Sequence, residues 1–199
     1  GNSITSGGNY NVLVGDEAGT ALTTGDSNIA IGYESLKTED GHGTNIAIGQ
    51  AALKVLNAGT DGNNVAIGHT AGTAMTTGQQ NTLVGGQAGD ALTTGQENVA
   101  LGTQALSADT AGNHSTAIGH GALFNQNQTT STDSNNTAVG FSSGAAVTTG
   151  IYNTLVGALS GDALTDADNN VALGWGTLST DTLGSRSVAI GRSALQSQN

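Results

Sequence analysis

Asn64-Val65-Ala66-Ile67-Gly68 is the stretch on which the fold turns, because variants of it recur from one end of the chain to the other. They begin at Asn11, Asn28, Asn45, Asn64, Asn81, Asn98, Ser115, Asn136, Asn153, Asn170 and Ser187. Of the ten steps between them, eight are 17 residues, one is 19 and one is 21. A short fixed period marks a repeat architecture, in which a unit too small to bury its own apolar side stacks on its neighbours. Eleven units along 199 residues leave no room for a second domain, so residues 1–199 read as a single β-solenoid repeat domain. Gly1 to Tyr10, around Ser3-Ile4-Thr5, read as a worn repeat, and a start inside a repeat suggests a piece of a longer chain.

With each unit numbered from its Asn, position 2 is Val, Ile or Thr, position 3 is Ala or Leu, position 4 is Ile, Val or Leu, and position 5 is always Gly. Such alternation predicts a short strand, with positions 2 and 4 on one face and position 3 on the other. The glycine marks a corner whose dihedrals other residues avoid. β-Branched residues in so short a window exclude helix. The expected fold is all-β, a parallel β-roll of about eleven 17-residue coils, each with two short strands and two turns. At about 4.8 Å per coil the rod is on the order of 50 Å long. The alanines of position 3 (Ala30, Ala47, Ala66 and Ala100 among them) are expected on the outer face, where a stripe of small apolar residues predicts a neighbouring chain.

The second half of the unit takes two forms. Type A has glycine at position 9 and an apolar residue at position 12, as in Gly19 with Leu22 and Gly72 with Met75. Type B has leucine at position 9 and usually a polar residue at position 12, as in Leu36 with Glu39 and Leu106 with Asp109. Their order is A-B-B-A-A-B-B-A-A-B-B, a super-period of four units, and Leu13, Leu83 and Leu155 replace the position-3 alanine once in each. Duplication of a four-unit block accounts for this, with a geometric cause as the alternative. The two long units carry their extra residues at 57–63 and 125–135, which read as surface excursions or contact loops.

Composition closes several classes. Thirty-two glycines without proline exclude collagen, and 3% aromatic with 10% charged residues excludes a conventional globular core. The absence of cysteine removes disulfide frameworks and thiolate metal sites. A net charge of −11, with only Lys37, Lys54, Arg186 and Arg192 positive, disfavours nucleic acid and anionic membranes. No segment has the roughly 18 apolar residues of a membrane span, so no membrane insertion is expected.

Position 6 varies most, which predicts a solvent-facing corner. It holds Tyr33, His69, His120, Phe141, Trp175 and Arg192, the candidate binding residues, since rings on a polar rod suit sugar or receptor contact. Trp175 with Phe141 is the favoured pair. The recurrent position-1 Asn predicts a ladder of turn amides. Thr24, Thr77, Thr94 and Thr149 suggest a lattice-binding row, but type B units interrupt it. Asp162, Asp166 and Asp168, with Glu39-Asp40-Gly41 and Asp61-Gly62-Asn63, read as solvated turn acids that match no EF-hand or nonapeptide calcium roll. A structural Ca²⁺ stays open, and no cofactor is indicated. His42, His69, His114 and His120 have no metal-ligand spacing and no nucleophile elbow occurs, so no catalytic residue is assigned and the chain reads as a non-enzyme.

The unit Asn-(Val/Thr)-Ala-Ile-Gly-x-x-Ala resembles the head repeats of trimeric autotransporter adhesins, and Ser187-Val188-Ala189-Ile190-Gly191 matches their motif outright. The longer spacing and the tails Thr23-Thr24-Gly25, Thr76-Thr77-Gly78, Thr93-Thr94-Gly95 and Thr148-Thr149-Gly150 look more like the repetitive β-roll regions of bacteriophage tail fibres. The resemblance implies a left-handed homotrimeric roll, extracellular on a virion tail fibre or a bacterial cell surface. It further implies a stalk or a receptor-binding head that meets a host-cell glycan or protein. A monomeric β-solenoid binding ice or a polysaccharide lattice is the alternative.

Overall fold

The computed structural model describes residues 8–196, so the reading of Ser3-Ile4-Thr5 lies outside the described residues. Among these residues the chain is all-β and without helix. The strands are β1 Val12–Val14, β2 Ile29–Ile31, β3 Ile46–Ile48, β4 Val65–Ile67, β5 Thr82–Val84, β6 Val99–Leu101 and β7 Gly112–Asn113. They continue with β8 Thr116–Ile118, β9 Thr132–Asp133, β10 Thr137–Val139, β11 Thr154–Val156, β12 Val171–Leu173 and β13 Val188–Ile190. All but β7 and β9 form one eleven-stranded parallel sheet in chain order, one strand per coil. The register opposes equivalent positions, as in Val65 with Thr82, Ala66 with Leu83 and Ile67 with Val84. This is the β-solenoid that the 17-residue period predicts.

Among the described residues, the second strand expected in each coil is found in two adjacent coils alone, as β7 and β9, which pair with each other. The second half of the unit still bonds to its neighbours, for example Gly89 N–H to the Ala105 carbonyl at 2.9 Å and Thr93 N–H to the Thr110 carbonyl at 2.8 Å. It is kept out of strand geometry by left-handed corners. Positions 7, 9 and 17 take positive φ in coil after coil, as at Gln87 (59°), Leu106 (55°) and Glu97 (56°). Gly19 at 55° and Leu36 at 48° show that type A and type B units share one backbone path.

The alanine stripe lies inside the roll and not on its outer face. Ala30, Ala47, Ala66, Ala100, Ala117, Ala138 and Ala172 are fully buried and line the interior of the roll, while positions 2 and 4 face outward. Apolarity alone could not rank the two faces; size does. The coil closes its second half over position 3, and where that half contributes a leucine from position 9, only a methyl group fits opposite.

Steric exclusion inside the roll also sets the four-unit super-period. Type A glycines leave room that a leucine from position 3 fills: a Cβ on Gly72 or on Gly89 would meet the Leu83 side chain at 2.9 Å. Gly144 and Gly161 flank Leu155 in the same way, each with a Cβ position 2.8 Å from it. Pairs of type A units therefore share one large position-3 side chain, and pairs of type B units fill the lumen from position 9 instead. The core is a jigsaw with a period of four coils.

Candidate interaction surface

The outward face of the eleven-stranded sheet carries two side-chain rows. Position 4 is apolar on every coil, from Val14 through Ile67, Leu101 and Leu173 to Ile190, and all five of these are exposed. Position 2 is Val or Ile, with Thr82, Thr116, Thr137 and Thr154 in the middle of the rod. At about 4.8 Å per coil and about 3.3 Å per residue, this strip covers roughly 500 Å². That is near the top of what a monomer ordinarily leaves wet.

Past the position-5 glycine, the chain turns and presents position 6. All six candidate binding residues are exposed there: Tyr33, His69, His120, Phe141, Trp175 and Arg192. The structure brings four of them into pairs. The His120 and Phe141 rings stack with centroids 5.6 Å apart and an interplanar angle of 19°, and the Arg192 guanidinium lies 5.1 Å over the Trp175 ring. Tyr33 and His69 join neither pair, since Gln50 separates them from each other and Gly86 and Thr103 separate His69 from His120.

The asparagine ladder is present and buried. Asn81 Nδ2 donates to the Gly95 carbonyl at 2.9 Å and to Asn64 Oδ1 at 3.2 Å, while Asn98 N–H donates to Asn81 Oδ1 at 3.0 Å. Where Ser115 interrupts it, Gln126 fills the gap: its Nε2 donates to Ser115 Oγ at 2.9 Å and to Asp109 Oδ2 at 2.6 Å, and its Oε1 accepts from Asn136 Nδ2 at 2.8 Å.

Glu39 is not a solvated turn acid. It is fully buried, as are Asp109 and Gln126, because position 12 points inward in type B units as it does in type A. Their carboxylates hold backbone: Glu39 Oε2 accepts from Ala58 N–H at 3.3 Å, and Asp109 Oδ1 accepts from Gln128 N–H at 3.0 Å and Gly112 N–H at 3.1 Å. Burial pushes the carboxyls of Glu39 and Asp109 up from their ordinary values, and these hydrogen bonds oppose the shift. Ala58 and Gln128 belong to the two long units, so each buried acid anchors the root of an inserted loop. Sequence reasoning missed this, although the shared place of Glu39 and Leu22 at position 12 was the available signal.

Among the remaining acids, Asp40 and Asp166 are exposed. Asp61 Oδ1 accepts from Gly43 N–H at 2.9 Å and Asp168 Oδ1 from Ile151 N–H at 2.8 Å, so both brace turns. Burial raises the Asp162 carboxyl, whose Oδ1 finds no hydrogen-bond partner among the described residues. Glu39, Asp40 and His42 bring one ligand atom each within 4.8 Å of one another, but Glu39 is already committed to Ala58 and His42. Lys37 and Lys54 bridge to Glu34 at 2.7 Å each, and these two ammonium groups hold its carboxyl down at about 2.

Compared with known proteins, the chain matches no family model, no curated protein and no solved structure.

Proposed function

We propose that the chain is a non-catalytic fibrous module, of the kind that forms the repetitive part of a tail fibre or surface adhesin outside the cell. Three copies would pack through the outward face of the eleven-stranded sheet. The observation that supports this most is the uninterrupted apolar position-4 row on a rod of net charge −11. A strip of aliphatic side chains repeating at one coil spacing suits identical neighbours, because each coil then meets the same environment as the next. Contact with a host-surface glycan or protein would come from position-6 side chains, individually weak and multiplied by three copies.

Light scattering behind a sizing column tests this. A mass about three times the 19.5 kDa of the chain is the expected result. A monomer would overturn the trimer. It would leave the same flat face, with its threonines at 82, 116, 137 and 154, as a lattice-binding surface for ice or a crystalline polysaccharide.

A further inference from the structure

The position-6 corners of the last five coils form a ladder of flat groups with one rung missing. His120, Phe141, Ala158, Trp175 and Arg192 follow one another on consecutive coils, because β8, β10, β11, β12 and β13 pair in that order. Their corner backbones are laced together: Leu159 N–H donates to the Phe141 carbonyl at 2.9 Å, Gly176 N–H to Ala158 at 3.1 Å and Ser193 N–H to Trp175 at 2.9 Å. Each rung therefore stands about 4.8 Å from the next. His120 covers one face of Phe141, and Arg192 covers one face of Trp175. Both covering groups lie on the side away from the Ala158 coil. The second face of each ring consequently looks along the rod toward Ala158, which fills the space with a methyl group only. The gap is two coil steps, about 9.6 Å.

We infer that this gap, walled by Phe141 and Trp175 and floored by Ala158, is a slot for one uncharged pyranose ring of a glycan. A ring lying midway is about 4.8 Å from each wall, within the 4.5–7 Å at which ring centroids pack. The coil repeat already delivers such a stack in His120 and Phe141, at 5.6 Å. A pyranose presents C–H bonds on both faces to the electron-rich faces of two rings and keeps its hydroxyls in water at the edge. The net charge of −11 selects against phosphorylated, sulfated or uronic rings. His120 and Arg192 hold the walls in place before the ligand arrives, which lowers the ordering cost of binding. The slot rests on the proposed role of position 6 as the contact row, and names the chemistry that row would take.

Trp175 is the only tryptophan, so its fluorescence reports on the slot directly. The chain is titrated with cellotetraose, maltotetraose and chitotetraose, and with a sulfated tetrasaccharide. Light scattering is recorded on the same samples. The expected result is a saturable change in Trp175 emission with at least one neutral probe and none with the sulfated one. Ala158→Leu, which fills the missing rung without touching the interior, should weaken that binding about tenfold or more with the assembly mass unchanged. Phe141→Ala should act in the same direction. The slot is overturned if no neutral probe gives a saturable change, if only the sulfated probe does, or if Ala158→Leu binds as well as the parent. Saturable binding by a monomer would retain the slot and sink the trimer; a trimer without binding would do the reverse.

Discussion

The position-5 glycine answers to two constraints at once. At Gly85 φ is 139°, a region open only to glycine, and a Cβ there would lie 2.5 Å from the carbonyl oxygen of Gly102 on the next coil. Gly85→Ala should therefore cost more than about 3 kcal/mol, since strain and collision add; urea unfolding measures it. The leucines of position 9 sit in left-handed geometry that costs about 1–2 kcal/mol per residue, and full burial of Leu36, Leu53, Leu106, Leu123 and Leu178 returns about as much for each. Asp109 makes a prediction in pH. Its raised carboxyl means that the folded chain holds a proton the unfolded chain has released, so this group's contribution to stability falls as pH rises from about 4 through the raised value. Asp109→Asn should flatten that slope relative to the parent, read as the thermal midpoint at about pH 4.5 against about pH 7.

At the scale of the element, the two inserted loops differ between root and tip. Gln126, Gln128 and Ser134 are buried, whereas Thr129, Thr130 and Ser131 are exposed. Deleting residues 129–131 should leave the thermal midpoint nearly unchanged. Deleting 126–134 should lower it sharply, because Asp109 and Asn136 then lose their partner Gln126. The fold was legible in the sequence where a rule depends on period: the strand at Val65-Ala66-Ile67, the corner at Gly68 and the ladder at Asn64 all follow from the repeat. What escaped depends on which way a face turns. Ala66 and Ile67 are both apolar, and only closure of the coil decides that the smaller one goes inside. Glu39 is polar in a turn-rich stretch and reads as wet until its coil position is compared with that of Leu22. The candidate site was half legible: variability placed Phe141 and Trp175 in solvent, while their alignment across Ala158 needed the stacking geometry.

For the whole molecule, adjacent residues separate folding from assembly. Ala100→Glu places a carboxylate in the sealed lumen and should abolish the folded state in circular dichroism. Leu101→Glu, on the outward face of the same strand, should keep the fold and yield a monomer by light scattering. A Leu101→Glu trimer would show that copies meet elsewhere. Nearly all of the hydrogen bonds between coils join a coil to the one directly before or after it, so stability accumulates along the rod one junction at a time.

The interlocking of type A and type B units gives the rod a quantum of length. Excising one coil, residues 81–97, keeps the reading of the backbone but removes Leu83 from between Gly72 and its neighbour, leaving a void worth about 2–5 kcal/mol. Excising four coils, residues 64–135, rejoins a type B coil to the type A coil that begins at Asn136, a seam the molecule already uses. A chain built this way can be lengthened or shortened by whole blocks almost without cost, and by single coils only at the expense of its interior.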